Sequence, residues 1–222
     1  KPAAEVRDLV FAACDFLARL QPDALVIACN TATAVCIEAL RSRYKFPVIG
    51  MEPAVKPALA KVERDRVLVI ATSLTLQEAK LDALLERIDP GGRCDKLAMD
   101  KLVSFAEQGR FDGAEVEDYL DSQLSHYDAA SYGAVVLGCT HFIYFRPALH
   151  KVFGSDVRLV DGNQGTVRHL FSSLALLQED SSMGWENRIR SRPQTTFYQS
   201  GKVVEAENYL SYLSRLDEFL LP

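Results

Sequence analysis

The chain has no run of about 18 or more apolar residues, so no transmembrane helix is expected. No signal peptide is visible either. Basic residues are not in excess: 25 Lys and Arg face 30 Asp and Glu, a net charge of −5. Phosphate contacts need a basic surface, so nucleic-acid binding is not expected as the main task. The five cysteines, Cys14, Cys29, Cys36, Cys94 and Cys139, include no CxxC pair. That argues against a structural zinc site or a thioredoxin-like motif. There is no GxGxxG or Walker pattern, and Gly162-Asn163-Gln164-Gly165 resembles a phosphate loop only loosely. A nucleotide cofactor therefore has no support. No lysine motif points to a pyridoxal site.

What is present is ordinary in bulk. At 222 residues, 48% hydrophobic and 25% charged, the chain can bury a substantial core as one large or two small domains. An odd number of dispersed cysteines reads as reduced thiols in a cytosolic protein.

Two segments mirror each other. Leu25-Val26-Ile27-Ala28-Cys29-Asn30-Thr31 lies near the start and Val135-Val136-Leu137-Gly138-Cys139-Thr140-His141 in the second half. Each is an apolar run, a small residue, a cysteine, and a threonine able to open a helix. Two cysteines placed alike at the ends of two buried strands suggest two facing thiols. Such a pair can take a proton from one side of a carbon and return one to the other.

Strands and helices alternate along the chain. Helical spacing covers 4–20, Thr31 to Tyr44, Leu76 to Ile88, 100–108 and 114–127, a stretch near Pro147, 166–178 and 204–216. Asn30 or Thr31 is the expected N-cap of the second helix. Buried or strongly apolar strands are expected at 24–29, Arg66 to Ala71 and Ala134 to Leu137, a further strand at Val157 to Val160, and short strands at Pro47 to Gly50 and Cys94 to Ala98. Pro53 and Pro57 mark a crossing or a further helix start. A polar loop over 179–193 precedes an edge strand at Thr195 to Gln199 and a turn at Ser200-Gly201. This alternation implies parallel sheets in an α/β fold. Ligands in such sheets bind at the carboxyl ends of the strands, where Cys29 and Cys139 fall.

A helix N-terminus lowers a thiol's pKa and supplies free N–H donors, and both cysteines precede a predicted helix. The same ends could hold a carboxylate, with Asn30, Thr31 and Thr140. Either cysteine taken alone reads equally as a small core residue. His141 could serve Cys139 as acid or base, or be structural. Thr72, Ser73 and Thr75 set hydroxyls at another strand end, where helix capping accounts for them as well. Glu107 alone reads as a solvated carboxylate. Cys14 and Cys36 read as packing, Cys94 as incidental, and His126, His150 and His169 as structural.

These residues carry a resemblance. Cys29-Asn30-Thr31-Ala32 and Gly138-Cys139-Thr140-His141-Phe142 resemble the two signature motifs of the aspartate/glutamate racemase superfamily. Val48-Ile49-Gly50-Met51-Glu52-Pro53-Ala54, Ala71-Thr72-Ser73-Leu74-Thr75, Ala106-Glu107-Gln108-Gly109 and Phe197-Tyr198-Gln199-Ser200-Gly201 follow in the order found in glutamate racemases. The resemblance implies two similar parallel-sheet α/β domains with the active site in the cleft between them. Their expected limits are 1–54 with 160–222, and 55–159. It implies that Cys29 and Cys139 are the two acid/bases, that His141 assists Cys139, and that Glu107 lies near the site. Asn30, Thr31, Thr72, Thr75 and Thr140 would bind glutamate. It further implies no metal, flavin or pyridoxal cofactor, a cytoplasmic homodimer, and supply of D-glutamate for peptidoglycan.

One departure stands out. The family opens with a strand ending in Asp-Ser-Gly, a second strand and a Pro-Tyr-Gly loop, and none of these precedes Lys1. The resemblance therefore predicts that the first cysteine lacks its aspartate partner and that the strand ending there has an unpaired edge. It leaves open a catalytically inactive chain, or another superfamily activity on aspartate, a hydantoin or maleate. A smaller departure is Val160-Asp161-Gly162-Asn163-Gln164-Gly165, where many members carry Asp-Ser-Ala.

Overall fold

A computed structural model describes residues 1–62, 65–174 and 196–205. Six short parallel strands and nine helices alternate through the first two of these stretches, with a hairpin in the third. The expected loop over 179–193 and residues 206–216 of the expected last helix lie outside the described residues.

The larger sheet has four parallel strands in the order β4-β3-β5-β6. They are β3 (Arg66–Ala71), β4 (Cys94–Ala98), β5 (Tyr132–Gly138) and β6 (Arg158–Val160). The apolar runs at β3 and β5 have no polar face because both faces are covered. Leu68, Ile70, Val135 and Leu137 pack with Leu102, Phe105, Leu120, Phe142 and Phe145. Val67, Val69, Ala134 and Val136 point the other way, against Val55, Ala58, Leu59 and Leu81. Period-two alternation thus divides one apolar run between two cores. Covering helices are α3 (Val55–Lys61) and α5 (Ala79–Ile88) on the second side, and α6 (Asp100–Glu107), α7 (Ala114–Leu124) and α8 (Arg146–Phe153) on the first.

The smaller sheet pairs β1 (Leu25–Ile27) with β2 (Val48–Gly50) in parallel. Helices α1 (Ala3–Ala18) and α2 (Asn30–Arg43) share a core with it, built on Cys14, Leu25, Ile27, Cys36, Ile37, Leu40 and Val48. The cysteines assigned to packing are the buried ones here. Among the described residues the other edge of β1 has no strand partner, and Val26, Leu9 and Leu20 are exposed.

Thr33 ties this unit together. Its buried hydroxyl donates to the Ile27 carbonyl at 3.2 Å and accepts from the Met51 N–H at 3.0 Å. One side chain therefore links the carboxyl ends of both strands. Gly50 must be small there, because a Cβ on it would lie 2.6 Å from Thr33 Cγ2 and 3.0 Å from Ile37 Cδ1.

Three expectations change. The helix expected over Leu76 to Ile88 is two: α4 (Ser73–Leu76), opened by the Thr72 cap, and α5 after a break at Gln77-Glu78. The helix expected from 166 begins earlier, as α9 (Asn163–Ser173), because the Asp161 carboxylate accepts the Asn163 N–H at 2.8 Å. Val204 ends a strand rather than starting a helix: β7 (Phe197–Gln199) and β8 (Lys202–Val204) form an antiparallel hairpin. Tyr198 of that hairpin packs edge-on against Phe16 of α1. Among the described residues no helix is long and apolar enough to cross a membrane.

Candidate active site

The carboxyl ends of three strands are level. Ala71 of β3 pairs with Ala98 of β4 and with Gly138 of β5. Thr72, Met99 and Cys139 therefore leave the sheet side by side. Gly138 permits this close approach, since a Cβ there would meet Ala71 Cβ at 2.8 Å and the Ile70 carbonyl at 2.9 Å. Ile27 ends β1 in the same way, two residues before Cys29.

Cys29 caps α2 itself. Its backbone is extended (φ −145°, ψ 121°) and its Sγ accepts the Ala32 N–H at 3.5 Å. This corrects the expectation that Asn30 or Thr31 is the cap. Both are already helical, and the Thr31 hydroxyl is engaged elsewhere. Thr31 Oγ1 lies 2.9 Å from Thr72 Oγ1 and 3.0 Å from Thr75 Oγ1, and Thr72 and Thr75 are 3.0 Å apart. The three hydroxyls close a triangle joining the start of α2 to the start of α4. It brings the smaller sheet's site residues against the larger sheet's.

Asn30 is buried at 3% exposure, and its Oδ1 has no hydrogen-bond partner. It lines a cavity of about 290 Å³ with Thr33, Met51, Thr75, Leu81 and Leu84. Neither cysteine lines that cavity.

Cys139 precedes a 3-10 turn, Thr140–Phe145, that runs on into α8. His141 Nδ1 stands 3.7 Å from Cys139 Sγ. Burial pushes the Cys139 thiol up to about 12, and the charges of Cys29 and Asp100 act in the same direction. The His141 backbone N–H opposes this and loses. A helix N-terminus was expected to lower this thiol's pKa; here desolvation outweighs the N–H donor. Burial also holds the His141 imidazole below its ordinary range, with Glu107 pulling the other way. Glu107 ends α6 on the exposed side, within electrostatic reach of His141. Thr140 is partly exposed as the first residue of the turn.

The fold thus gathers Cys139 and His141 at the end of β5, Thr72 and Thr75 at the neighbouring end of β3, and Thr31, beside Cys29, against those two threonines. The charge of Cys29 is felt at Cys139. Two residues escaped the sequence reading. Thr33 sits inside a helix with nothing local to show what it bonds. Asp100 opens α6 just past β4, and only its place at a strand's carboxyl end hinted at a role.

The family model described as Asp/Glu/Hydantoin racemase matches residues 2–170. A glutamate racemase of Halothermothrix orenii is 42% identical over 214 residues, covering 96% of this chain and 82% of that protein. Glutamate racemase 2 of Bacillus subtilis is 42% identical over 222 residues, covering 99% and 81%. The crystal structure of Escherichia coli glutamate racemase, in complex with L-glutamate and the activator UDP-MurNAc-Ala, superposes with a TM-score of 0.73 at 26% identity. It covers 97% of this chain and 79% of that one. The chain belongs to the Asp/Glu/Hydantoin racemase family and, within it, to the glutamate racemases.

Proposed function

We propose that this chain interconverts L- and D-glutamate by a two-thiol proton transfer, without a cofactor. One cysteine thiolate takes the α-proton and becomes a thiol. The bonding pair stays on the substrate as a planar carbanion delocalised into the carboxylate. The opposite cysteine then gives its S–H proton to the other face and is left as the thiolate. The substrate is inverted, and the two thiols have exchanged protonation states.

The observation that carries this reading is that Cys29 and Cys139 each follow the carboxyl end of a parallel strand, β1 and β5, and that the hydroxyls of Thr31, Thr72 and Thr75 join the two strand ends. In this reading His141 orients and exchanges the Cys139 proton, with Glu107 behind it. Asn30, Thr31, Thr72, Thr75 and Thr140 bind glutamate through amides and hydroxyls that favour the dianionic carboxylate of the transition state. The lobes are 1–54 with 160–222, and 55–159, and closure between them excludes water. The product would be D-glutamate for peptidoglycan, made in the cytoplasm by a homodimer.

The test is substrate profiling by chiral chromatography. Each enantiomer of glutamate and of aspartate is supplied separately, with a hydantoin and maleate alongside. The reading expects turnover of both glutamate enantiomers toward an equal mixture and much slower turnover of the rest. Preference for any other substrate would reassign the chain within its superfamily.

A further inference from the structure

Asp100 makes contacts that the racemisation scheme does not yet use. Its carboxylate accepts the Ser73 backbone N–H, at 3.0 Å to Oδ1 and 3.2 Å to Oδ2, and also the Ser73 hydroxyl. Ser73 is the first residue of α4, between Thr72 and Thr75. The first N–H groups of a helix have no partner within it, and a carboxylate is well suited to satisfy one. Strand register sets the approach. Ala98 pairs with Ala71, so Asp100, two residues beyond Ala98, emerges beside the end of β3, and α6, which it opens, packs against the Thr140–Phe145 turn that follows Cys139. The Met99 N–H bonds the Ala71 carbonyl at 2.8 Å and fixes this turn.

We propose that Asp100 is a positioning residue of this site. Its carboxylate clamps Ser73 so that Thr72 and Thr75 stand at the substrate, and it sets a fixed negative charge beside Cys139.

The proposal rests on the racemase reading for its catalytic meaning, but its two physical parts can be measured apart from turnover. The titratable groups facing Cys139 are Cys29 at the start of α2, Asp100 of α6 and His141 of the following turn, with Glu107 behind His141. Among the carboxylates of the described residues, it is the charge of Asp100 that acts on the Cys139 thiol. It opposes thiolate formation there, so that Cys139 waits as a proton donor. The clamp acts at the neighbouring strand end: a displaced Ser73 carries Thr72 and Thr75 with it and opens the hydroxyl triangle to Thr31.

The test compares the wild-type chain with Asp100→Asn, Asp100→Ala and Ser73→Ala. Thiol modification by methyl methanethiosulfonate is followed at pH 8.5 by peptide-resolved mass spectrometry, with buried Cys14 and Cys36 as internal references. Removing one nearby charge raises the thiolate fraction, so Asp100→Asn should modify Cys139 about 3- to 10-fold faster. Ser73→Ala keeps the charge and should stay within about twofold of wild type. In glutamate kinetics, Asp100→Ala should raise KM, and Asp100→Asn, which keeps an acceptor for Ser73, should restore it. An unchanged Cys139 rate in Asp100→Asn overturns the proposal. So does an equal increase in Ser73→Ala, which would mark loosened packing rather than charge. Absence of glutamate turnover in wild type would sink the racemase reading and leave the thiol-reactivity result standing.

Discussion

His141 Nδ1 lies 3.7 Å from Cys139 Sγ, in a site buried enough to push the thiol up to about 12 and to hold the imidazole below its ordinary range. The two groups are therefore a thiol and a neutral imidazole at pH 7. A neutral imidazole can relay the cysteine's proton in either direction. His141→Asn removes that relay and should lower kcat by about 10²- to 10⁴-fold with a much smaller change in KM. Steady-state kinetics with each enantiomer check this.

The same burial makes stability depend on pH with a definite sign. A histidine whose folded pKa is depressed binds fewer protons when folded than when unfolded. Its contribution is complete above the unfolded value near 6.5 and is lost as pH falls through the lower folded value. Urea midpoints of wild type should therefore fall from pH 7.5 to pH 5 more steeply than those of His141→Asn. Parallel curves would show that the imidazole is not held neutral.

The hydroxyl triangle makes a separate prediction. Thr75 is 2% exposed and bonds both Thr31 and Thr72. Thr75→Val keeps the shape and deletes both bonds, and should cost about 1–3 kcal/mol in urea unfolding. KM for glutamate should rise as well, because Thr31 and Thr72 lose their common anchor. Thr75→Ser keeps the hydroxyl and should recover most of both losses.

Gly50 and Thr33 test the smaller sheet. Gly50→Ala drives a methyl into Thr33 Cγ2 and should destabilise by about 1–3 kcal/mol. Thr33→Ser removes that methyl group and keeps the hydroxyl that serves Ile27 and Met51. In the Thr33→Ser background, Gly50→Ala should cost measurably less, a coupling that a double-mutant cycle reads directly. Additive costs would place the clash on Ile37 instead.

Much of the fold was legible because the signals were local. The apolar runs at Arg66 to Ala71 and at 134–137, followed by small residues, predict strands covered on both sides, and they are so covered. The helix over 4–20 was likewise readable from its spacing. What stayed hidden depends on partners distant in sequence. Thr31 offers a capping hydroxyl, but Thr72 and Thr75, 41 and 44 residues away, take it, leaving the cap to Cys29. The one-helix reading of Leu76 to Ile88 failed because Thr72 caps the start of an earlier short helix that stops at Gln77. At the site, paired cysteines and strand-end threonines were visible in the pattern. Asp100 and Thr33 were not, because their roles exist only once β3, β4 and β5 are level and β1 meets β2. The direction of the Cys139 shift was also out of reach, since sequence shows a helix start but not the depth at which it is buried.

The two-thiol scheme is tested most directly by incubating L- and D-glutamate separately in D2O with wild type, Cys29→Ala and Cys139→Ala. The α-proton is followed by NMR, and the products by chiral chromatography. The account predicts that wild type replaces the α-proton of both enantiomers and racemises them. Each single variant should lose racemisation and retain exchange with one enantiomer only, the opposite one in each case. Racemisation persisting in either variant would contradict the assignment of Cys29 and Cys139 as the two facing acid/bases.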